Sequence, residues 1–174
     1  FKDDEIIING GVKTTEEIYK LALKAFEALG SGFKEDTFQK ALSISFRKEG
    51  IAYMKETNLE IFYQRESLGV FRLDFLLPKQ KNKKFTLKDP IIIETKARAE
   101  ISNDSRLQLQ NYLISLPLNS SEVLSQINEG MIINWRSNLS VEDPDSSKPG
   151  VEVELWAMKK NRMNLIHKVP ESDE

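Results

Sequence analysis

The chain has 174 residues, of which 40% are hydrophobic and 30% are charged, and its formal net charge at pH 7 is -2. This length and composition are typical of one globular domain with a sizeable core. The absence of cysteine excludes disulfides, thiolate zinc sites, iron–sulfur clusters and cysteine nucleophiles, and the near-neutral charge excludes a global attraction to nucleic acid.

No apolar stretch approaches the roughly 20 residues that a transmembrane helix needs, so we predict no association with a membrane. Residues 1–5 are mostly acidic and lead into a short run of isoleucines, which does not resemble a secretory signal. Together with the lack of cysteine, these features predict an intracellular protein, located in the cytoplasm or the nucleus.

The first half of the chain predicts two helices followed by strands. A capping-box pattern at residues 14–17 predicts the start of the first helix, and Gly30 predicts its end. A second helix is predicted from Lys34 to about Glu49 by its apolar periodicity. Three strands are then predicted, at residues 51–55, 58–64 and 70–77.

The second half predicts a strand, a helix and a return to strands. Residues 79–89 form a lysine-rich loop or hairpin tip, and Pro90 opens a strand that ends at Lys96. Ser102 or Asn103 can cap a helix that runs to about Leu116. The remaining predicted elements are a short helix at 120–129, a buried strand at 130–135, a loop at 141–150, an edge or half-exposed strand at 151–156 and a hairpin strand at 163–168.

This order predicts an α/β fold with a central mixed sheet of four to five strands, flanked by helices, and a C-terminal β-hairpin extension. The step from the strand at 90–96 through the next helix to the strand at 130–135 requires a crossover, which is right-handed in nearly all proteins. We predict a single domain over residues 1–174, with a core at 14–135, an extension at 136–168 and a disordered acidic tail at 169–174.

Two acids and a lysine interrupt apolar segments that predict buried strands. Asp74 lies within residues 70–77, and Glu94 and Lys96 lie near the end of the next strand. A buried carboxylate is costly unless it is paired, hydrogen-bonded or bound to a metal, and side-chain alternation places Glu94 and Lys96 on one face. Two interpretations fit: an acid–lysine ion pair, which the spacing alone favours, and a site that holds a divalent cation beside a phosphate.

Three further candidates each have a simpler explanation. Glu35 lies at the start of the second helix, where the helix dipole favours an acid. Gln108 and Tyr112 are four residues apart and share a face of the helix that follows Lys96. An amphipathic helix with a half-buried tyrosine explains that pair equally well, so none of the three indicates a function by itself.

Taken together, these segments resemble the PD-(D/E)XK nuclease superfamily and, within it, the small proteins named for a GxxExxY motif. The matching segments, in order within residues 14–135, are Gly32-x-x-Glu35-x-x-Phe38, Arg72-Leu73-Asp74, Glu94-Thr95-Lys96, Gln108-x-x-x-Tyr112 and the glycine-led strand Gly130-Met131-Ile132-Ile133-Asn134. Any one motif is weak, but five in this order, each on a suitable element, favour a nuclease-type site over a simple ion pair.

The resemblance implies a restriction-endonuclease-like fold and a Mg²⁺-dependent nuclease that hydrolyses the phosphodiester bonds of nucleic acid, DNA in particular. It implies that Glu35, Asp74 and Glu94 bind Mg²⁺, with Mn²⁺ able to substitute. Thr95 occupies the position from which the backbone carbonyl often reaches the metal in this family. Carboxylate and carbonyl oxygens are the ligands that Mg²⁺ prefers.

The resemblance also implies that Lys96 orients or helps to activate the attacking water. Gln108 and Tyr112 would position the DNA or the nucleophile. Arg98 would share the face of Lys96 and touch a phosphate if the strand extends that far, although a solvated strand end explains it equally well. The hairpin lysines Lys81, Lys83 and Lys84 could bind phosphates by releasing counterions, or they could simply keep a loop soluble.

Two positions depart from the family pattern. Phe38 stands where the GxxExxY motif has a tyrosine, and Leu73 replaces the proline of the superfamily's name. Phe38 and the near-neutral charge keep a second function open, in which a catalytically inactive module of the same fold binds nucleic acid or a protein partner. A third possibility is a fold of similar topology in which the acids form structural ion pairs.

Overall fold

The computed structural model describes residues 11–137 and 149–171. The helices are α1 (Gly11–Leu29), α2 (Glu35–Lys48), α3 (Asn103–Ser115) and the short α4 (Glu122–Ser125), with a 3-10 turn at Leu116–Leu118. The strands are β1 (Met54–Tyr63), β2 (Glu66–Leu77), β3 (Gln80–Lys81), β4 (Thr86–Leu87), β5 (Ile91–Lys96), β6 (Glu129–Trp135), β7 (Val151–Lys159) and β8 (Arg162–Val169).

Six strands form one mixed sheet in the order β1-β2-β5-β6-β7-β8, and β3 and β4 form a separate two-stranded hairpin. β5 and β6 are parallel, with α3 in the connection between them, and the other neighbours in the sheet are antiparallel. The predicted fold class is therefore confirmed. The strands β1, β2, β5 and β6 form the mixed core, and the C-terminal hairpin β7–β8 continues the same sheet.

Helices cover the sheet on both faces, and each face has its own apolar core. On one face, side chains of α1 and α2 pack against Ile91 and Ile93 of β5. On the other face, side chains of α3 pack against Ile92. Because neighbouring residues of a strand point to opposite faces, Thr95 faces the α1–α2 layer, whereas Glu94 and Lys96 face α3.

Several boundaries differ from the sequence predictions. The short helix predicted at 120–129 is α4 at Glu122–Ser125, and β6 already begins at Glu129. The described part of α1 already begins at Gly11, and Thr14 and Thr15 are buried inside the helix. The Thr15 hydroxyl donates a hydrogen bond to the Gly11 carbonyl at 2.6 Å, so this threonine bonds back along the helix instead of capping its start. The strands predicted at 51–55 and 58–64 are one strand, β1, because pairing with β2 continues on both sides of Glu56 despite its φ of 57°.

The prediction of an edge or half-exposed strand at 151–156 is wrong, because β7 lies between β6 and β8 and its residues 151–155 are buried. Most of the loop predicted at 141–150 lies outside the described residues. So do residues 172–174 of the predicted acidic tail, whereas Val169 is the last residue of β8. No helix in the described ranges has the length and apolar character needed to cross a membrane.

Candidate active site

The candidate site lies where β2 and β5 stop pairing. The ladder between them joins Leu77 to Ile91 and continues to the pair of Phe75 with Ile93. One residue further along, the Asp74 amide donates instead to the Glu94 carboxylate, with 3.3 Å between the nitrogen and Oε1. The end of the ladder therefore leaves two carboxylates side by side at the opening between the strands.

Thr95 joins Asp74 to a third acid, Glu35. The Thr95 amide donates to Asp74 Oδ2 at 2.8 Å. Its hydroxyl oxygen lies 3.0 Å from Asp74 Oδ2 and 3.0 Å from Glu35 Oε1, and because a hydroxyl carries one proton it donates to one of them at a time. Glu35 reaches this point from the first turn of α2, so the structure brings the three acids together from two sides of the sheet.

Gln39 is a further site residue that the sequence analysis did not identify. Its amide nitrogen donates to Glu35 Oε1 at 2.9 Å and to Thr95 Oγ1 at 2.6 Å. It lies one helical turn after Glu35, so the (i, i+4) spacing is the signal that could have revealed it. Gln39 fixes the direction of the Glu35 carboxylate toward Thr95.

The three acids form an electrostatically strained group. Burial raises the pKa of Glu35, and the negative charge of Asp74 raises it further. Glu94 is 4% exposed, and burial followed by the Asp74 charge raises its pKa well above the usual range. Among the described residues, no ion pair is formed by any of the three acids. A cation bound between them would relieve this repulsion.

Lys96 is held beside the acids by a chain of hydrogen bonds on the α3 face. Its Nζ donates to Gln108 Oε1 at 2.8 Å, and Gln108 Nε2 donates to the Tyr112 hydroxyl at 3.0 Å. Burial raises the pKa of Tyr112, and the charges of Glu94 and then Asp74 add to the effect. An ammonium has three N–H donors, so Lys96 keeps two for a substrate.

The position of α3 depends on its cap and on one glycine. Ser102 caps the helix by accepting a hydrogen bond from the Ser105 amide at 3.2 Å. Leu109 packs directly over Gly130 of β6, where an added Cβ would lie 2.6 Å from Leu109 Cδ1. Glycine at this position lets α3 approach the sheet closely enough for Gln108 to reach Lys96.

Phe38 belongs to the apolar core and not to the acid site. It is almost completely buried, and its ring stacks on Trp135 with 5.0 Å between centroids and 8° between the planes. A tyrosine at this position would carry its hydroxyl into a packed aromatic cluster, and Phe38 has no such hydroxyl. Gly32, the first residue of the motif, has a φ of 103° in the turn before α2, a conformation that favours glycine.

The predicted nucleic-acid-binding residues lie at different distances from the acids. β5 ends at Lys96, so Arg98 lies beyond the strand; its side chain is exposed and its backbone is held by Asn134. Lys81 and Lys83 line a pocket with Arg47 and Lys48. That pocket is at the opposite end of α2 from Glu35, roughly 20 Å away at 1.5 Å per residue.

Lys84 lies in the same hairpin and pairs with Glu49 at 3.7 Å. The structure thus brings Glu35, Asp74, Glu94, Thr95, Lys96, Gln108 and Tyr112 together and leaves the hairpin lysines apart from them. A role for these lysines or for Arg98 in binding nucleic acid stays a prediction.

The donor chemistry of the acid group fits a hard divalent cation, since Glu35, Asp74 and Glu94 supply only carboxylate oxygens. No three His, Cys, Asp or Glu side chains within residues 11–137 and 149–171 are already arranged to hold a metal ion. The carboxylates are instead occupied by the Thr95 hydroxyl and the Asp74 amide. Metal binding would thus require at least one of these side chains to turn from its hydrogen-bond partner.

A comparison with protein families identifies the superfamily to which these residues belong. A search of curated proteins finds no match to the chain. The model of the PD-(D/E)XK nuclease superfamily matches residues 12–142, which include every element that carries the acid group, Lys96 and α3. The mixed six-stranded sheet with its flanking helices agrees with the restriction-endonuclease-like fold of that superfamily. The chain belongs to the PD-(D/E)XK nuclease superfamily.

Proposed function

We propose that this protein is a Mg²⁺-dependent nuclease that hydrolyses phosphodiester bonds of DNA. The observation that carries the proposal is the group formed by Glu35, Asp74 and Glu94. Glu94 is buried and the other two are partly buried, the Asp74 charge raises the pKa of both glutamates, and none of the three has a cationic side-chain partner among the described residues. Such a group is costly for a purely structural role. It has a direct use in holding a divalent cation at a phosphate.

Lys96 supplies the positive charge of the protein at this site. Gln108 holds the ammonium at 2.8 Å, so its position is fixed before substrate binds. Its remaining donors can bind a non-bridging phosphate oxygen and stabilise the charge that develops during hydrolysis. The lysine also disfavours protonation of the neighbouring acids, because its charge lowers the pKa of both Glu35 and Glu94.

Glu35, Asp74 and Glu94 are the residues that would hold the metal, and Mn²⁺ is expected to substitute for Mg²⁺. When bound, the metal supplies stabilisation of negative charge on the phosphate and activation of water. The Thr95 amide and hydroxyl hold Asp74 Oδ2 in place for this purpose. A contact from the Thr95 carbonyl to the metal remains part of the proposal.

The test is cleavage of plasmid and single-stranded DNA by the purified protein with Mg²⁺, with Mn²⁺ and with EDTA. We expect cleavage with either metal and none with EDTA. Asp74→Asn and Lys96→Ala should each reduce the rate by about 10²- to 10³-fold, the usual cost of removing a preorganised charge. Circular dichroism and urea unfolding should show that both variants retain the fold.

Two exposed residues of α2 provide matched controls. Asp36 and Lys40 form an exposed ion pair on the helix that carries Glu35, so Asp36→Asn and Lys40→Ala should leave cleavage unchanged. Equal cleavage by Lys96→Ala and wild-type protein would refute the proposed mechanism. Metal-independent DNA binding without any cleavage would favour the inactive binding module instead.

We further propose that the chain belongs to the GxxExxY group of the superfamily. The support is local: Gly32 adopts a positive φ in the turn before α2, and Glu35 contacts the hydroxyl of Thr95 next to Asp74. Glu35→Gln should therefore lower the cleavage rate, whereas Asp36→Asn on the next position should not. If Glu35→Gln cleaves DNA at the wild-type rate, Glu35 has no role in catalysis, and the proposed roles of Asp74 and Glu94 are unaffected.

A further inference from the structure

A groove lies between α3 and the β1–β2 hairpin, next to the candidate active site. Its volume is about 490 Å³, which is within the usual range of small-molecule pockets. Its apolar wall includes Ile61, Phe71, Leu107 and Ile114, and its polar atoms include those of Asp104 and Asn111. Phe71, Leu107 and Ile114 are each nearly half exposed. A cluster of exposed apolar side chains of this kind indicates a binding surface.

The groove is continuous with the candidate active site. Gln108 and Tyr112 line the groove and also form the hydrogen-bond chain that holds Lys96. The Phe71 ring packs against Tyr112 with 6.3 Å between centroids. Phe71 precedes Asp74 by three residues on β2, or roughly 10 Å along the strand. A nucleic-acid strand with a phosphate at the acids could therefore place a nearby nucleotide in the groove.

We propose that the groove binds an unpaired nucleobase close to the scissile phosphate, so that the substrate strand is single-stranded or locally unpaired there. The proposal rests on the nuclease function above and adds the class of substrate. The exposed ring of Phe71 offers a stacking surface, and base–aromatic stacking tolerates any base. The side-chain amides of Asn111 and Gln108 can hydrogen-bond the edges of the base.

Charge and shape both favour a base as the occupant. Asp104 is the one charged side chain among the described residues that line the groove, and a carboxylate repels phosphate but accepts hydrogen bonds from base amino groups. In a duplex the base faces are covered by their stacked neighbours, so Phe71 could not stack on them without unpairing. In this arrangement Lys96 binds the phosphate, and the base stacks on the ring of Phe71.

The test measures binding without cleavage, so that it is independent of the nuclease assay. A fluorescein-labelled single-stranded DNA oligonucleotide, the same strand annealed to its complement, and the same strand with abasic residues are titrated with wild-type protein in EDTA. We expect the intact single strand to bind at least 5-fold more tightly than either of the others. Equal affinity for the intact and abasic strands, or no binding of the intact strand, would overturn the proposal.

Phe71→Ser should weaken binding of the intact strand by about 5- to 150-fold, the range that corresponds to the loss of one base–aromatic stack, and Phe71→Tyr should retain it. Leu165→Ser is the matched control, because Leu165 is 47% exposed and Phe71 46%, and Leu165 lies on β8 at the other edge of the sheet. A concentration-dependent dimer that Phe71→Ser abolishes, without loss of strand affinity, would assign the groove to a second copy of the chain and overturn the proposal.

Discussion

Two groups of carboxylates lie on neighbouring parts of the sheet, one around Glu94 of β5 and one formed by Glu152 and Glu154 of β7, and arginine neutralises the β7 group but not the other. The strand register places them in two rows. Glu94 on β5 is level with Ile132 on β6 and Glu154 on β7, and Lys96 is level with Asn134 and Glu152. One strand separates the groups, so they are roughly 10 Å apart, which is twice the strand spacing.

The carboxylates of β7 are paired and fully hydrogen-bonded. Arg106 of α3 donates to both oxygens of Glu154, at 2.9 Å and 2.8 Å. Arg136 donates to Glu152 Oε1 at 2.8 Å, and the Ile101 amide and Asn134 donate to Glu152 Oε2. Every oxygen of these acids has a donor, as a buried charge requires.

Asp74 and Glu94, the carboxylates where the pairing of β2 with β5 ends, have no cationic side-chain partner among the described residues. The Lys96 charge lowers the pKa of Glu94, but the ammonium donates its hydrogen bond to Gln108 and not to either acid. Burial alone therefore does not distinguish a structural acid from a functional one in this sheet. The presence or absence of an ion-paired arginine does, and four experiments test this difference.

We expect the strongest change in stability when the arginine of Glu152 in the paired β7 group is removed. Arg136→Met would leave Glu152 buried without its cation, because both side chains are about nine-tenths buried. We expect a loss of about 3–5 kcal/mol in the free energy of unfolding, the usual cost of breaking a buried pair. Urea unfolding measures it, and Mg²⁺ should not restore the loss. A change below about 1 kcal/mol would show that Glu152 does not depend on its arginine.

The paired group also shows where sequence reasoning fails. The alternation at residues 151–156 suggests an edge strand, because two glutamates on one face are typical of a face that meets water. Their partners Arg106 and Arg136 are distant in sequence from the glutamates they neutralise, so no local pattern reveals the pairing. The burial of Glu152 and Glu154 follows from a tertiary contact, and only the fold supplies it.

Other features follow from local rules. Strand alternation predicts that Glu94 and Lys96 share a face, and in the structure both lie on the α3 face of β5. Helical spacing predicts that Gln108 and Tyr112 share a face, and they are hydrogen-bonded to each other. The start of α1 could not be predicted from residues 14–17, because Thr and Glu in that order also occur inside a helix when the threonine bonds back to a carbonyl.

The second prediction concerns metal binding at the unpaired group. A ligand present at 10 to 100 times its dissociation constant stabilises a protein by about 1.4–2.7 kcal/mol. We therefore expect Mg²⁺ to raise the melting temperature of the wild-type protein by about 3–10 °C. Asp74→Asn should abolish this shift, because it removes a carboxylate ligand. Glu154→Gln should keep it, and an equal shift in all three proteins would place the metal elsewhere.

The third prediction compares the same substitution at the two groups. The pKa of Glu94 is raised in the folded state, so its contribution to the stability of the metal-free protein is full below the unfolded pKa of about 4.3. That contribution is lost as the pH rises through the raised folded pKa. Glu94→Gln removes this loss and should stabilise the metal-free protein at pH 7, because the neutral amide carries no charge into the buried site.

Glu154→Gln is the matched substitution and should act in the opposite direction. It weakens the two-point contact with Arg106 and should destabilise the protein at pH 7. Chemical unfolding in EDTA at pH 5 and pH 7 measures both variants against wild type. Destabilisation by Glu94→Gln at pH 7, to the same degree as by Glu154→Gln, would contradict the view that Glu94 is strained without metal.

The weakest effect on activity is expected for the lysines of the β3–β4 hairpin. They allow the same comparison between a buried and an exposed group to be made for positive charges. Lys96 is partly buried and held by Gln108, whereas Lys81 and Lys83 are exposed and roughly one length of α2 from Glu35. Charges so placed can act on binding through counterion release, but they cannot touch the reacting phosphate. Replacing Lys81, Lys83 and Lys84 with alanine should therefore weaken DNA binding and leave the rate at saturating DNA unchanged.

The salt dependence of DNA affinity separates this role from that of a soluble hairpin tip. Each lost phosphate contact should reduce the slope of log affinity against log salt by about 0.7–0.9. The matched control replaces the exposed lysines Lys20, Lys24 and Lys160, which changes the net charge by the same amount and leaves Lys13 to pair with the buried Glu17. If both triple variants alter the slope equally, the effect comes from net charge and not from the hairpin. If the hairpin variant alone flattens the slope, DNA extends from the acids along α2, and affinity and catalysis use separate groups of lysines.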